Sequence, residues 1–129
     1  MPYHGPVARW ELYWANLDPS VGSEQGGKRR PVLIVSNSGF NAAFEVVAVL
    51  SLTKLAGKRR RVYPFEVELP AEVIGTGLTS IVMPQQIRTI SKQRLLSRIG
   101  ALTNPDKRTE IENRLLEHLG IEFEAEIPG

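Results

Sequence analysis

Apolar and polar residues alternate in short runs over most of the chain before residue 103. Over residues 8–17, Trp10 and Trp14 fall on the apolar side, which predicts a strand with both indoles in the core. Residues 32–35 are continuously apolar and mainly β-branched, which favours a strand buried on both faces. The same reasoning predicts further strands at residues 30–37, 45–53, 62–69, 78–83, 87–90 and 94–102, and a short helical segment at 41–44.

The hydrophobic period changes after this series of strands. Asn104 is a candidate N-cap, Pro105 suits the first helical position, and Gly120 is suited to the helix end. One apolar stripe runs along the predicted helix and comprises Ile111, Leu115, Leu116 and Leu119. Many short strands and one final helix predict a mainly β fold with some α structure. We expect a small antiparallel β-barrel with a C-terminal helix lying on it.

Length and composition narrow the class of protein further. The 129 residues suit one domain, with residues 1–7 as a flexible tail. The absence of cysteine excludes a disulfide scaffold and a thiolate zinc site. No apolar run approaches the ~20 residues that span a bilayer, and residues 1–7 contain no apolar signal core. We therefore expect a cytoplasmic, unexported protein with no membrane partner.

The charges are segregated along the chain, although the formal net charge is only +2. Residues 28–61 contain eight cations and the single acid Glu45, whereas residues 106–126 contain seven acids and three cations. A dense positive region predicts a polyanionic partner, because phosphates gain from local charge density and counterion release. A basic surface that is merely solvated is the alternative interpretation.

The Gly- and Pro-rich loop at residues 17–31 carries the candidate chemistry. Arg30 stands where this loop meets the apolar strand, and Pro31 fixes the backbone after it. A guanidinium there can hold a phosphate through two hydrogen bonds and stabilise the charge that develops in phosphodiester cleavage. Thr53, at the end of the third predicted strand, can donate to the same phosphate, and Glu24 can take a proton or orient a ribose hydroxyl. Each residue is also compatible with an ordinary surface position.

Other reaction machinery is sparse. His4 lies in the predicted tail and His118 near the end of the acidic helix, so a two-imidazole acid/base pair is hard to build. The carboxylates do not cluster with histidines, so we expect neither a metal nor another cofactor. Gln85 and Gln86 supply the donors and acceptors needed to recognise a base edge.

Three segments of the sequence follow one another in a specific order. They read W-A-N-L-D-P-S-V-G-S-E-Q-G-G-K-R-R-P-V-L-I-V-S-N, then Y-P-F-E-V-E-L, then Q-Q-I-R-T-I-S-K-Q-R-L. Their order and spacing over about residues 9–119 resemble the MazF/PemK family of toxins from bacterial toxin-antitoxin pairs. The resemblance implies an SH3-like barrel of the CcdB/Kid/MazF kind that forms a homodimer. It also implies a sequence-specific endoribonuclease that cuts single-stranded RNA without metal. The ribose 2′-hydroxyl would attack and leave a 2′,3′-cyclic phosphate.

The resemblance also implies roles for particular residues. Arg30, Thr53 and Glu24 match the family's catalytic positions. Ser51 is a less favoured alternative to Thr53, and Arg29 makes the catalytic cation ambiguous by one residue. Because arginine is a poor general base, we assign Arg30 to electrostatic stabilisation, with leaving-group protonation as a second role.

A wider set of side chains is expected to contact RNA. These are Ser23, Gln25, Lys28, Arg29, Lys54, Lys58, Arg59, Arg60, Arg61, Gln85, Gln86 and Arg88. Some family members carry an acid where this chain has Gln85, and some a histidine where it has Ser23. A carboxylate base at position 85 is therefore not available here.

The partner implied by the family is a small acidic antitoxin, MazE-like, whose flexible tail occupies the cationic groove. Two other functions remain open from the sequence. One is a non-enzymatic toxin like the CcdB relatives that trap DNA gyrase. The other is an RNA-binding barrel without catalysis.

Overall fold

The computed structural model describes residues 2–55, 61–74, 77 and 79–122. Its elements are β1 (Glu11–Ala15), β2 (Arg30–Ile34), α1 (Ser38–Ala43), β3 (Val46–Lys54), β4 (Val67–Leu69), α2 (Ala71–Ile74), β5 (Ser80–Ser91), a 3-10 turn (Lys92–Arg94), β6 (Leu95–Ala101) and α3 (Pro105–His118). The predicted series of strands followed by one long helix is confirmed.

All six strands form one antiparallel sheet in the order β4-β5-β3-β2-β1-β6. β4 and β6 are its edges, and within the described ranges no pairing between them closes the sheet. The mainly β class with a C-terminal helix is therefore confirmed, but the expected closed barrel is an open sheet. The strand predicted at residues 62–69 pairs only from Val67 onward, since Pro64 has no N–H to donate.

Both faces of the central strands are buried, as the apolar run at residues 32–35 predicted. Leu33 and Leu50 belong to one hydrophobic cluster, whereas Val32 and Val49 belong to a second one. This division follows from the period of two along paired strands. α3 packs on the first cluster through Ile111.

The N-terminal segment, expected as a loose tail, lies on the second cluster. The Tyr3 N–H donates to the carbonyl of Leu95 at 2.7 Å. The rings of Tyr3 and Tyr13 are 5.0 Å apart, and Val7 is buried. Residues 2–7 therefore cover part of the sheet.

The first strand keeps the predicted alternation, but its two tryptophans differ in burial and in backbone conformation. Trp10 has a φ of 73°, a left-handed conformation that is unusual for a bulky residue. β1 also shifts register twice against β6. Trp10 and Leu12 belong to the first cluster and Tyr13 to the second, so both faces of β1 are buried. Trp14, near the end of the strand, is only partly buried. The prediction that Trp14 is a core residue is wrong.

The fifth and sixth predicted strands are one continuous strand with a bulge. Met83 pairs with Ser51 and Arg88 with Val49, so residues 84–87 lie opposite Leu50 alone. Pro84 removes one backbone donor at this point and accounts for the predicted break. The bulge displaces the backbone that carries Gln85 and Gln86.

The long helix α3 begins where the sequence placed its cap. The Asn104 side chain accepts from the Lys107 N–H at 3.0 Å, and Pro105 occupies the first turn of α3. Leu119 lies beyond the last helical residue and is 56% exposed, so it does not extend the apolar stripe. α1 starts earlier than predicted because Asn37 caps it, and α2 was not predicted. None of the helices in the described ranges is long and apolar enough to cross a bilayer.

Candidate active site

Arg30 and Thr53 are cross-strand neighbours at one end of the sheet. Val32 pairs with Ser51 in the antiparallel register of β2 and β3. Continuing this register by two residues places Arg30 opposite Thr53, with both side chains on the same face. Directly opposite residues have Cβ atoms about 4.5–5.5 Å apart. The register therefore brings together two residues that the sequence singled out separately.

These two residues line an open cleft of about 470 Å³, here called the Arg30 cleft. Its complete lining is Trp14, Arg29, Arg30, Pro31, Leu52, Thr53 and Lys54. Thr53 is 7% exposed, whereas Arg29 and Lys54 are exposed. Three of the lining residues are cations and none is acidic, so the cleft is suited to an anion.

The loop before β2 positions the Arg30 guanidinium. Its Nε donates to the Gly26 carbonyl at 2.9 Å. When the oxygen and nitrogen of the Gln25 amide are exchanged, as its surroundings favour, the oxygen accepts from Nη2 at 3.0 Å and from Nε at 3.2 Å. Within the described part of the chain, no residue bonds Nη1. That nitrogen is left for an anion in the cleft.

The close approach of Arg30 to the loop requires glycine at position 27. Gly27 has a φ of 131°, and a Cβ there would lie 2.7 Å from both Cγ and Nε of Arg30. The Gly27 N–H donates to Asp18 Oδ1 at 2.8 Å, and its carbonyl accepts from the Leu17 N–H at 2.8 Å. Gly27 therefore lets the arginine side chain lie directly against the loop backbone.

The alternatives that the sequence left open, Arg29 for Arg30 and Ser51 for Thr53, have different surroundings. The Arg29 guanidinium stacks over the Trp14 ring, 4.7 Å from its centroid, and does not occupy the position opposite Thr53. Ser51 is fully buried and its hydroxyl has no hydrogen-bond partner among the described residues. Of these residues, Arg30 and Thr53 are the pair that share a face of the cleft.

Glu24 lies in a different cleft, of about 310 Å³, which we call the Glu24 cleft. Its lining is Glu24, Gln85, Gln86, Ile87 and Arg88. The Glu24 Oε2 accepts from the Val21 N–H at 3.1 Å within the same loop. The three predicted catalytic residues are therefore divided between two clefts. Gln25 connects the clefts, because it contacts Arg30 and its N–H donates to Gln86 Oε1 at 3.1 Å.

The two glutamines differ in their surroundings. Gln86 is bonded at both ends of its amide, since its Nε2 also donates to the Ser23 carbonyl at 3.3 Å. It therefore ties the loop to β5, and one N–H and one lone pair of its amide are left for a ligand. Gln85 Nε2 donates to Glu66 Oε2 at 2.6 Å, and its Oε1 is buried without a partner among the described residues. Arg88 Nη1 reaches the Leu17 carbonyl at 3.5 Å.

The remaining predicted RNA contacts are spread over the surface. Lys28 is exposed outside both cleft linings, and Arg61 is exposed beside Tyr63. Lys58, Arg59 and Arg60 lie outside the described residues. His4 lines a separate cleft with Lys92, away from both sites. In the described ranges, no three side chains of metal-ligating type come together.

Sequence reasoning missed Trp14 and Glu66 as neighbours of the site. Alternation assigned Trp14 to the core together with Trp10, but Trp14 lies near the end of β1 and lines the Arg30 cleft. Glu66 is a buried acid bonded to Gln85. The only signal for it was an acid within an otherwise apolar strand pattern.

An open antiparallel sheet with a cationic cleft at the ends of two strands defines a small β protein whose surface is suited to a polyanion. Residues 8–119 match the family described as PemK-like, MazF-like toxin of type II toxin-antitoxin system. Endoribonuclease EndoA of Bacillus subtilis (strain 168) is 41% identical over 96 residues, which are 74% of this chain and 80% of that relative. The chain therefore belongs to the PemK-like, MazF-like toxin family.

Solved structures agree with this membership. MazF (Form-I) from Deinococcus radiodurans superposes with a TM-score of 0.75 at 28% identity, covering 92% of this chain and 100% of that one. A MazE-MazF structure (Form-III) from the same organism superposes with a TM-score of 0.71 at 27% identity, again covering 92% and 100%.

Proposed function

We propose that this toxin is a metal-independent endoribonuclease that cuts single-stranded RNA in the Arg30 cleft. The observation that carries the proposal is the placement of Arg30 opposite Thr53 in a cleft lined by three cations and no acid. The family membership and the endoribonuclease relative support RNA as the substrate.

The reaction is an internal displacement at phosphorus. The ribose 2′-oxygen attacks the adjacent phosphorus and the bond to the 5′-oxygen breaks, which leaves a 2′,3′-cyclic phosphate and a 5′-hydroxyl. The pentacoordinate transition state carries extra negative charge on its non-bridging oxygens. Arg30 stabilises that charge through its guanidinium, and the Thr53 hydroxyl donates to the same phosphate.

Two protons must also move. The 2′-hydroxyl loses one and the leaving 5′-oxygen gains one. A guanidinium is suited to donate a proton rather than accept one, so Arg30 is placed on the leaving-group side. Glu24 is the acceptor in the neighbouring cleft, where it takes the proton from the 2′-hydroxyl or orients that group. The exposed turn that holds Glu24 has to move toward the Arg30 cleft when RNA binds.

RNA spans both clefts in this proposal. The scissile phosphate lies against Arg30, and neighbouring nucleotides lie in the Glu24 cleft near Gln85. Cations outside the Arg30–Thr53 pair contact the phosphates on either side. They are Lys28, Arg29, Lys54, Lys58, Arg59, Arg60, Arg61 and Arg88, and Ser23 and Gln25 contribute polar contacts from the loop.

The protein partner is an acidic antitoxin whose tail occupies the same cationic surface. The toxin itself acts as a homodimer in the cytoplasm, and residues 1–129 form one domain. The MazE-MazF structure supports pairing with a second protein. A disordered acidic segment loses conformational entropy on binding, and contacts along the positive surface offset that loss. A synthetic acidic peptide should therefore displace bound RNA. Simultaneous binding of peptide and RNA would contradict a shared surface.

Cleavage is tested by incubating the purified protein with a long single-stranded RNA in EDTA and mapping new ends by primer extension. We expect discrete cuts that share a short sequence and disappear in Arg30→Ala. The matched control is Arg114→Ala, which removes a cation paired with Glu117 on α3 and should cut like the wild type. Intact RNA at high wild-type concentration would refute the proposal and favour the gyrase-directed or binding-only function.

A further inference from the structure

Two exposed aromatic side chains stack on each other in the turn that leads into β4. The ring centroids of Tyr63 and Phe65 are 5.2 Å apart and their planes differ by 3°. The two residues are 40% and 44% exposed, and neither is a member of the two clusters described above. Exposed parallel rings offer the flat apolar surface on which unpaired nucleobases stack.

A buried carboxylate holds this turn, which comprises residues 63–66. Glu66 is 4% exposed. Its N–H donates to the Tyr63 carbonyl at 2.9 Å, and its Oε1 accepts from the Tyr63 N–H at 3.2 Å. The backbone between the two rings is therefore fixed before any ligand binds. This limits the conformational entropy that binding would cost.

The same carboxylate connects the turn to the candidate active site. Glu66 Oε2 accepts from Gln85 Nε2 at 2.6 Å, and Gln85 lines the Glu24 cleft. β4 lies two strands away from β3, which carries Thr53, and the two strands are roughly 10 Å apart across the sheet. The aromatic turn thus flanks the surface along which the RNA strand is placed.

A positive charge beside the two rings is also suited to single-stranded RNA. The Arg61 guanidinium lies 5.2 Å from the Tyr63 ring centroid. It ends a segment, residues 54–61, in which five of eight residues are cations. In single-stranded RNA a phosphate accompanies every base, so stacked rings next to a cation match the repeating unit of the ligand.

We propose that Tyr63 and Phe65, together with Arg61, form a subsite on which one unpaired base flanking the scissile phosphate stacks. The inference rests on the proposed endoribonuclease function and adds a determinant of its substrate binding. Stacking accepts any base, because every base has a π face. The subsite therefore supplies affinity and fixes the register of the strand, while polar groups such as Gln85 distinguish the bases.

The test is a double-mutant cycle between the protein and the RNA. Tyr63→Leu/Phe65→Leu removes both rings and keeps apolar bulk. The matched control is Phe40→Leu/Phe44→Leu, which removes a second stacked pair with centroids 4.9 Å apart, located beyond the other end of β2 from Arg30. The ligand is a short RNA carrying the mapped cut sequence, made uncleavable by 2′-deoxyribose at the scissile nucleotide. Each base is replaced in turn by an abasic ribose, and binding is measured by fluorescence anisotropy.

We expect the Tyr63→Leu/Phe65→Leu variant to bind the intact RNA about 10-fold more weakly, and the control to bind normally. At one position the abasic replacement should weaken wild-type binding about 10-fold but leave that variant unaffected. The exchange Tyr63→Phe/Phe65→Tyr keeps both rings and should retain wild-type binding, which separates loss of stacking from misfolding.

Equal abasic penalties in the wild type and the leucine variant at every position would overturn the subsite, even if the wild type cuts RNA normally. Unchanged RNA binding with lost binding of a synthetic acidic peptide would assign the rings to a protein partner and would also overturn it. A wild-type protein that cuts no RNA would overturn the proposed function itself, and the subsite with it.

Discussion

Gly27 offers a way to displace the Arg30 guanidinium without removing its charge. A Cβ at position 27 would lie 2.7 Å from both Cγ and Nε of Arg30. Non-bonded heavy atoms prefer about 3.5–4.0 Å. Gly27→Ala therefore has to move the arginine side chain by roughly 1 Å. The φ of 131° adds backbone strain, which for a non-glycine residue is on the order of 1–3 kcal/mol.

A displacement of about 1 Å can lower an enzymatic rate on the order of 100-fold. We expect kcat of Gly27→Ala on a short RNA with the mapped cut site to fall by that order. KM should change less, because the cation stays in the cleft. The rate is measured at saturating RNA by following a fluorescent oligonucleotide, and thermal unfolding is recorded in parallel to determine the folded fraction.

Gly22 provides the matched control within the same loop. Its φ is also positive, at 58°, but an added Cβ would meet nothing within 4 Å. Gly22→Ala strains the backbone without moving Arg30, so it should cut RNA at nearly the wild-type rate per folded molecule. Equal rate losses in both variants, or a wild-type rate in Gly27→Ala, would refute the argument that this glycine positions the guanidinium.

Three further changes test other parts of the site and fold. Thr53→Val should lower kcat on the order of 100-fold because it removes one donor to the transition state, whereas Ser51→Ala, which removes an unpartnered hydroxyl, should leave cleavage unchanged. Gln86→Ala removes both hydrogen bonds between the Gln86 side chain and the loop. We expect kcat to fall about 10-fold with a smaller loss of RNA binding. An unchanged kcat would show that these bonds do not position the loop for the reaction. Burial raises the pKa of Glu11, but hydrogen bonds from the Ala8 N–H and Arg98 outweigh this and leave its pKa lowered. The ionised carboxylate therefore stabilises the fold above the unfolded pKa, and this contribution is lost as the pH falls through the lowered folded value. The urea concentration at the midpoint of unfolding should fall more steeply with decreasing pH in the wild type than in Glu11→Gln. Parallel pH dependences in the two proteins would rule out this contribution of Glu11.

The sequence was sufficient for the fold class because local pattern and burial agree along most of the chain. The alternation, the apolar run at residues 32–35 and the caps of α3 all specify the elements that form. It failed where one residue overrides its neighbours. The left-handed Trp10 lies just before β1, which begins at Glu11 and not at residue 8, and the bulge after Pro84 continues a strand that the pattern divides. Neither conformation is visible in a hydrophobic period.

The candidate site was predictable in part for a related reason. Arg30 and Thr53 were recognisable from their positions at the ends of predicted strands, but their proximity depends on the register of β2 and β3. Glu24 is close to Arg30 along the chain, yet the structure places it in the other cleft. Nearness in a Gly-rich loop says little about nearness in space, because such a loop can follow many paths.

The two clefts divide the proposed reaction between a fixed part and a loop. Arg30 pairs with Ala15 and Thr53 with Ile81, so the sheet sets the position of both groups. The Glu24 carboxylate accepts an exposed hydrogen bond from the Val21 N–H in its own turn, so its position follows the loop. Phosphate binding is then a property of the sheet, whereas the rate depends on bringing Glu24 to the 2′-hydroxyl. Under this arrangement a bound acidic peptide blocks the reaction at the sheet, without any need to reach Glu24.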